Sequence, residues 1–118
     1  MTQEKQALNR LYHVRESIRL IEEYLAGVSK TDFMEDSKLQ DAITRRLEIV
    51  GEAVNNLPSE ITAKHPETNW KKIVGMRIVF AHAYLQVDLK LIWKTCENKL
   101  PLLKQQVEKI IAEEEKKR

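Results

Sequence analysis

Residues 11–25, LYHVRESIRLIEEYL, decide the fold. Leu11, Val14, Ile18, Ile21 and Leu25 recur at alternating intervals of three and four, with charged residues between them. That spacing draws a single apolar stripe along an amphipathic helix; a strand would alternate every second residue. Gly27 follows as a stop signal. The pattern returns downstream, where a second helix is expected to begin near Asp36 or Ser37 and to repeat through Leu39, Ile43, Leu47, Val50, Val54 and Leu57 until Pro58 ends it. The two helices are expected to pair as an antiparallel hairpin.

Beyond Pro58 the chain is polar as far as Asn69 and includes Pro66, so it reads as a connection with room for one helical turn over Ser59 to Lys64. Asn69 can cap a third helix running from Trp70 to about Leu85. Asp88 resembles another cap, for a short helix through Leu91, Ile92 and Thr95, and Pro101 suits the first turn of a last helix. The terminal EEEKKR run, residues 113–118, reads as a frayed, solvated end. The expectation is an all-α fold: an antiparallel bundle of four to five helices forming a single domain over 1–118.

Composition agrees with that reading. The 118 residues hold only three glycines and three prolines, too few for a turn-rich β protein. Eighteen acidic residues against twenty basic ones leave a net charge of +2, which carries no global signature of a nucleic-acid partner. Any RNA contact has to come from a local patch. The lone Cys96 excludes an intrachain disulfide and any Cys-x-x-Cys zinc site, so no metal or other cofactor is expected. No run approaches the ~20 apolar residues of a membrane span. A soluble protein of the reducing cytoplasm is the expectation.

The chemistry concentrates in residues 73–87, IVGMRIVFAHAYLQV, where apolar side chains take nearly every helical face and only Arg77 and His82 are readily charged. An isolated guanidinium there costs several kcal/mol, roughly, unless it meets an anion or acceptors. On a straight helix Arg77, Ala81 and Tyr84 share a face, whereas His82 lies about 140° from Arg77 around the axis. A two-fold partner repeating the same helix across the axis is the simplest way to bring the pairs together, and Gly75 would let a second backbone come close. The residues alone leave alternatives open. His82 can be a core histidine, Arg77 can be held in an internal salt bridge with Glu52, and Tyr84 can be a packing residue.

Arg77, four residues, His82, one residue, Tyr84: this resembles the Arg-x4-His-x-Tyr motif of HepT toxins in the HEPN superfamily. The context extends the likeness, since GMRIVFAHAYLQVDLKLIWKTCENKLPLLKQQVEKI (residues 75–110) is similar to the family's stretch from motif to last helix. RRLEIVGEAVNNLP (residues 45–58) is similar to its second-helix segment around Gly-Glu-Ala. With the N-terminal helix, the resemblance covers essentially the whole chain. One departure is Ile78, where the family commonly has a polar residue, often Asn, directly after the arginine.

The resemblance implies a HEPN-like bundle acting as a two-fold homodimer, and a metal-independent endoribonuclease toxin of a type VII-like pair, cutting tRNA or mRNA. It implies that Arg77 and His82 are catalytic, and that an MNT-type nucleotidyltransferase antitoxin transfers AMP onto Tyr84 to silence the toxin. The chemistry suits these side chains. RNA supplies its own nucleophile, the 2′-OH, so cleavage needs a base and an acid near neutral pH and positive charge on the phosphorane. Histidine serves both proton transfers, and a guanidinium fork holds phosphate.

Glu52 can orient Arg77 or His82 or simply pack. Arg45, Arg46, Lys71 and Lys72 are candidates for further phosphate contacts or plain solvated charges. His13 and His65 read as surface or boundary residues, while Trp70 and Trp93 either stack bases or anchor a core or dimer interface. The alternative function is a non-catalytic helical binding or dimerisation module that partners a nucleotidyltransferase.

Overall fold

The computed structural model describes residues 3–81 and 88–117, and every regular element among them is helical. Helix α1 spans Gln3–Leu25 and α3 spans Ser37–Asn55, as the periodicity predicts. The stripe residues Leu11, Val14, Ile18 and Ile21 are all at most 1% exposed and meet Ile43, Leu47 and Val50 of α3 in one core. Each such side chain stabilises the fold by ~1.5–3 kcal/mol on burial. Gly27 closes α1 in the left-handed region, φ +74°, where a Cβ would be strained. Asp36 starts α3 by accepting from the Leu39 amide at 3.1 Å.

Between them lies a short helix, α2 (Lys30–Glu35), that the sequence pattern did not announce. Its signal was Ser29-x-x-Asp32. The Ser29 hydroxyl accepts from the Asp32 amide at 3.1 Å, and the Asp32 carboxylate accepts in return from the Ser29 amide at 3.4 Å. This reciprocal cap points Phe33 into the core, fully buried, with its ring centroid 5.5 Å from that of Trp93. Trp93 therefore belongs to the core's edge.

Helix α4 (Ser59–Lys64) forms the expected turn, and α5 (Trp70–Ala81) begins under an Asn69 side-chain cap on the Lys72 amide, 3.2 Å. The rest of the expected third helix, toward Leu85, lies outside the described residues. His65 corrects the expectation of a surface residue in the connection: it is 5% exposed, with Nδ1 3.4 Å from Glu67 and Nε2 3.4 Å from Glu113. Its carbonyl accepts from the Trp70 indole at 2.9 Å. The ring thus sits between the connection and the last helix, and Trp70 closes it from the other side.

Two further corrections concern the C-terminal part. Helices α6 (Leu89–Lys94) and α7 (Leu100–Lys116) are joined by a wide π turn, Thr95–Lys99, instead of being separate rods. The backbone stays helical through Lys99 (φ −96°, ψ −38°) and Leu100 (φ −64°, ψ −40°). Pro101 lacks an N–H and its ring would press on the carbonyl four residues back, so the widened turn before it absorbs the misfit. Nor are residues 113–117 frayed: Glu114 is buried and paired with Lys117 at 3.1 Å, and the Tyr12 hydroxyl donates to Glu115 at 2.7 Å. Those contacts fasten the end of α7 to α1.

The layering follows from these faces. Helix α1 packs on both α3 and α7, and α3 packs on α5, its most extensive partner. Gly51 sits where α3 and α5 cross. A Cβ there would lie 2.6 Å from the Arg77 amide nitrogen and 3.0 Å from the Ile73 carbonyl oxygen. Only glycine admits that approach, so α3 sets the position of Arg77. No helix among the described residues is long and apolar enough to cross a membrane.

Candidate active site

Beyond Lys71 and Lys72 in its first turn, helix α5 has no polar face to give to solvent. Ile73, Met76 and Phe80 turn inward and are buried, while Ile78 and Val79 stand 58% and 51% exposed. Arg77 projects between the two sets. Its side chain is 37% exposed, and Nη1 lies 3.4 Å from Oε2 of Glu52 on α3. The other oxygen of that carboxylate accepts from the Asn56 amide at 3.3 Å, and Asn56 also donates to the Glu52 carbonyl at 2.9 Å. The Glu52 partnership for Arg77, one of the alternatives open in the sequence, is therefore present. It is a loose one: both groups are substantially exposed, and pairs of that kind contribute ~0–1 kcal/mol. Nε of Arg77 is buried without a hydrogen-bond partner among the described residues. The guanidinium is held in place by packing and remains able to accept a better anion.

This arginine forms one wall of a cleft of about 540 Å³ between α1, α3 and α5. From α3 come Arg45, Glu48 and Glu52, and from its C-cap Asn56; they recur at intervals of three and four and so share one side of the helix. Ile49 and Ala53 supply apolar surface beside them, and Ile78 supplies more from α5. Arg45 is ion-paired to Glu48 within the helix. From α1 come Arg10 and His13. Sequence reasoning passed over Arg10 and read His13 as an ordinary boundary residue. The available signal was their position: each precedes a stripe residue, Leu11 and Val14, by one, and so flanks the buried seam on the same side.

Of the basic residues nominated from sequence, Arg45 shares the cleft with Arg77, and Arg46, Lys71 and Lys72 do not line it. Lys71 borders a shallow groove with Trp70 and Val74. Lys72 stands beside Lys99, whose ammonium is pushed below its ordinary range chiefly by that neighbour. The pair flanks a second, apolar groove of about 340 Å³ formed by Gly75, Met76, Val79, Phe80, Leu91 and Thr95. Over Gly75 a Cβ would meet nothing within 4 Å. His82 and Tyr84, the remaining residues of the motif, lie outside the described residues.

The arrangement can bind an oxyanion through a guanidinium fork and can place a nucleoside-sized group on Ile49, Ala53 and Ile78. Comparison with known proteins places the chain in a family. The family model described as "Ribonuclease HepT-like" matches residues 14–110. The chain is 41% identical to a Thermococcus cleftensis protein named "Probable ribonuclease HepT", covering 85% of this chain and 91% of that one. It is 40% identical to a "Putative RNase" of Caldanaerobacter subterraneus subsp. tengcongensis, covering 88% and 93%. It is also 42% identical to a "Gamma-glutamylcyclotransferase and putative RNase" of Methanocaldococcus jannaschii, over 90% of this chain but only 48% of that longer protein. No solved structure gives a significant match. With its motif arginine set in this cleft and the match running through nearly its whole length, the chain belongs to the HepT-like ribonuclease family.

Proposed function

We propose that the chain is a metal-independent endoribonuclease, the toxin of a type VII-like toxin–antitoxin pair, in which Arg77 and His82 perform the chemistry. The observation that carries this reading is the state of Arg77: positioned by the α3–α5 crossing at Gly51, facing a cleft, and held by Glu52 only at 3.4 Å. A phosphate offers that fork two charge-assisted bonds in place of one long contact. His82 acts as general base on the 2′-OH and, from the second copy, as general acid on the leaving 5′-oxygen. Arg77 stabilises the charge that builds on the phosphorane. The product is a 2′,3′-cyclic phosphate.

The working form under this reading is a two-fold homodimer. Ile78 and Val79 are exposed beside Arg77, and the groove past Gly75, Val79 and Leu91 is apolar and open, which suits the same helix of a second copy. An MNT-type nucleotidyltransferase silences the enzyme by transferring AMP from ATP to the Tyr84 hydroxyl with release of pyrophosphate. The adenylate then puts a covalent phosphate two residues from His82 and competes with RNA for the anion site. Ribonuclease and modification are tested together. Purified protein is incubated with tRNA before and after treatment with the partner enzyme and ATP, and the fragment ends and the intact mass are read. Cyclic-phosphate ends before treatment, lost as the mass rises by one adenylate on Tyr84, are expected. Unchanged cleavage by fully modified protein would remove the silencing step.

A further inference from the structure

The cleft contains more basic groups than the Arg77 chemistry uses. Its two carboxylates are already engaged, Glu48 by Arg45 within α3 and Glu52 by Arg77 across the helix crossing. Arg10 and His13 line the same cleft from α1, and both are exposed. They lie three residues apart on one helix face, so their heads stand side by side along the cleft's outer wall. Arg77 stands on the other wall, with α3 beneath. Packed helices lie ~8–10 Å apart, so the two walls are roughly two such steps from each other before the side chains reach inward. That gap suits phosphates one or two nucleotides apart on one strand, with an intervening base over Ile49 and Ala53. At about 540 Å³ the cleft has the size of a small-molecule site, which suits a nucleotide or two of a single strand.

We infer that α1 supplies a phosphate-binding subsite, Arg10 with His13, that grips single-stranded RNA beside the phosphate held by Arg77. This rests on the ribonuclease reading and adds to it a substrate class and two binding residues outside the motif. It makes the single strand cross one protomer from α5 over α3 to α1, with Arg10 anchoring the far end. Arg19 is an internal control. It lies on α1 nine residues from Arg10, half a turn out of phase, and is paired with Glu16 and Glu23.

The test uses a fluorescein-labelled, 2′-O-methylated single-stranded RNA of about twelve nucleotides. Capping the 2′-OH removes the nucleophile, so binding is read without cleavage. Anisotropy is measured in EDTA from ~50 to ~200 mM salt for the parent, Arg10→Glu, the milder Arg10→Ala/His13→Gln pair, and Arg19→Glu, each checked by helical circular dichroism. We expect Arg10→Glu to weaken binding about tenfold at the lower salt, and both α1 cleft variants to flatten the slope of log K against log salt by about 0.7 for each phosphate no longer neutralised. Arg19→Glu, with the same change in charge, should stay within about twofold of the parent. Equal weakening by Arg10→Glu and Arg19→Glu would reduce the effect to general electrostatics and overturn the subsite. Unchanged binding in the cleft variants, with the parent still cleaving unmodified RNA, would overturn the subsite and leave the ribonuclease reading intact. A parent that neither binds the probe nor cleaves RNA would overturn both.

Discussion

Replacing Gly51 by alanine should do more harm than one methyl group ordinarily does. The added carbon would sit 2.6 Å from the Arg77 amide nitrogen, 3.0 Å from the Ile73 carbonyl oxygen and 3.2 Å from the Arg77 Cβ. Two of these neighbours are backbone of α5 and cannot rotate away, so α3 and α5 must separate by several tenths of an ångström to about 1 Å along their main contact. Overpacking of this kind costs ~1–3 kcal/mol. Alanine's better helix propensity offsets ~0.5–1 kcal/mol of that. The net expectation is a loss of up to about 2.5 kcal/mol, with Tm falling by roughly 3–6 °C per kcal/mol for a chain of this size. Because the displaced atoms belong to Arg77, RNA cleavage should fall by more than the unfolded fraction explains. Gly75→Ala is the paired control: its Cβ meets nothing within 4 Å, so the monomer should be unharmed or gain ~0.5–1 kcal/mol. Thermal melts and urea titrations of both variants test this directly, and a Gly51→Ala protein melting at or above the parent would refute the reasoning.

Phe33→Ala should cost ~3–5 kcal/mol in urea unfolding, since the ring is fully buried against Trp93; a loss under ~1 kcal/mol would mean that α2 is dispensable to the core. Burial pushes the Cys96 thiol up to about 12, whereas an unfolded thiol titrates near ~8.5. The folded state therefore holds its proton longer, and stability that is complete below about pH 8 is lost as pH rises, by up to ~1.4 kcal/mol per unit between the two values. Urea unfolding at pH 8 and pH 10 should show a larger loss for the parent than for Cys96→Ala, by up to about 2 kcal/mol; equal losses would place the thiol in water. Glu52→Gln should change stability by less than ~1 kcal/mol, given the exposure of the pair, and should tighten RNA binding at low salt by removing the carboxylate that competes with phosphate for Arg77. Weaker binding would instead make Glu52 the group that aims the guanidinium.

The large features of the fold could be read from residue spacing because burial enforces a period. Leu11 to Ile21 and Ile43 to Val54 each need one face in the core, and the structure buries those faces, with Leu39 at their edge. Caps were legible for the same local reason, at Asp36, Asn69 and Asp88. Part of what escaped depended on neighbours distant in sequence. His65 looks polar and exposed until Glu113, forty-eight residues on, comes to meet it. The acidic end of α7 looks frayed until Tyr12 of α1 reaches Glu115. The π turn before Pro101 is a compromise between continuing a rod and accommodating a proline, and no periodicity reports it. In the site, Arg77 and Glu52 were nominated from their setting and are found in contact, whereas Arg10 and His13 enter because α1 happens to border the α3–α5 crossing.

The most direct test of the account is cleavage of tRNA in EDTA by the purified protein beside Arg77→Ala and His82→Ala variants, matched for melting temperature and for dimer mass. The account predicts fragments ending in 2′,3′-cyclic phosphate from the parent alone. RNA left intact by a dimeric parent whose Tyr84 is shown bare by intact mass would contradict it, and so would parental cleavage rates in the His82→Ala protein.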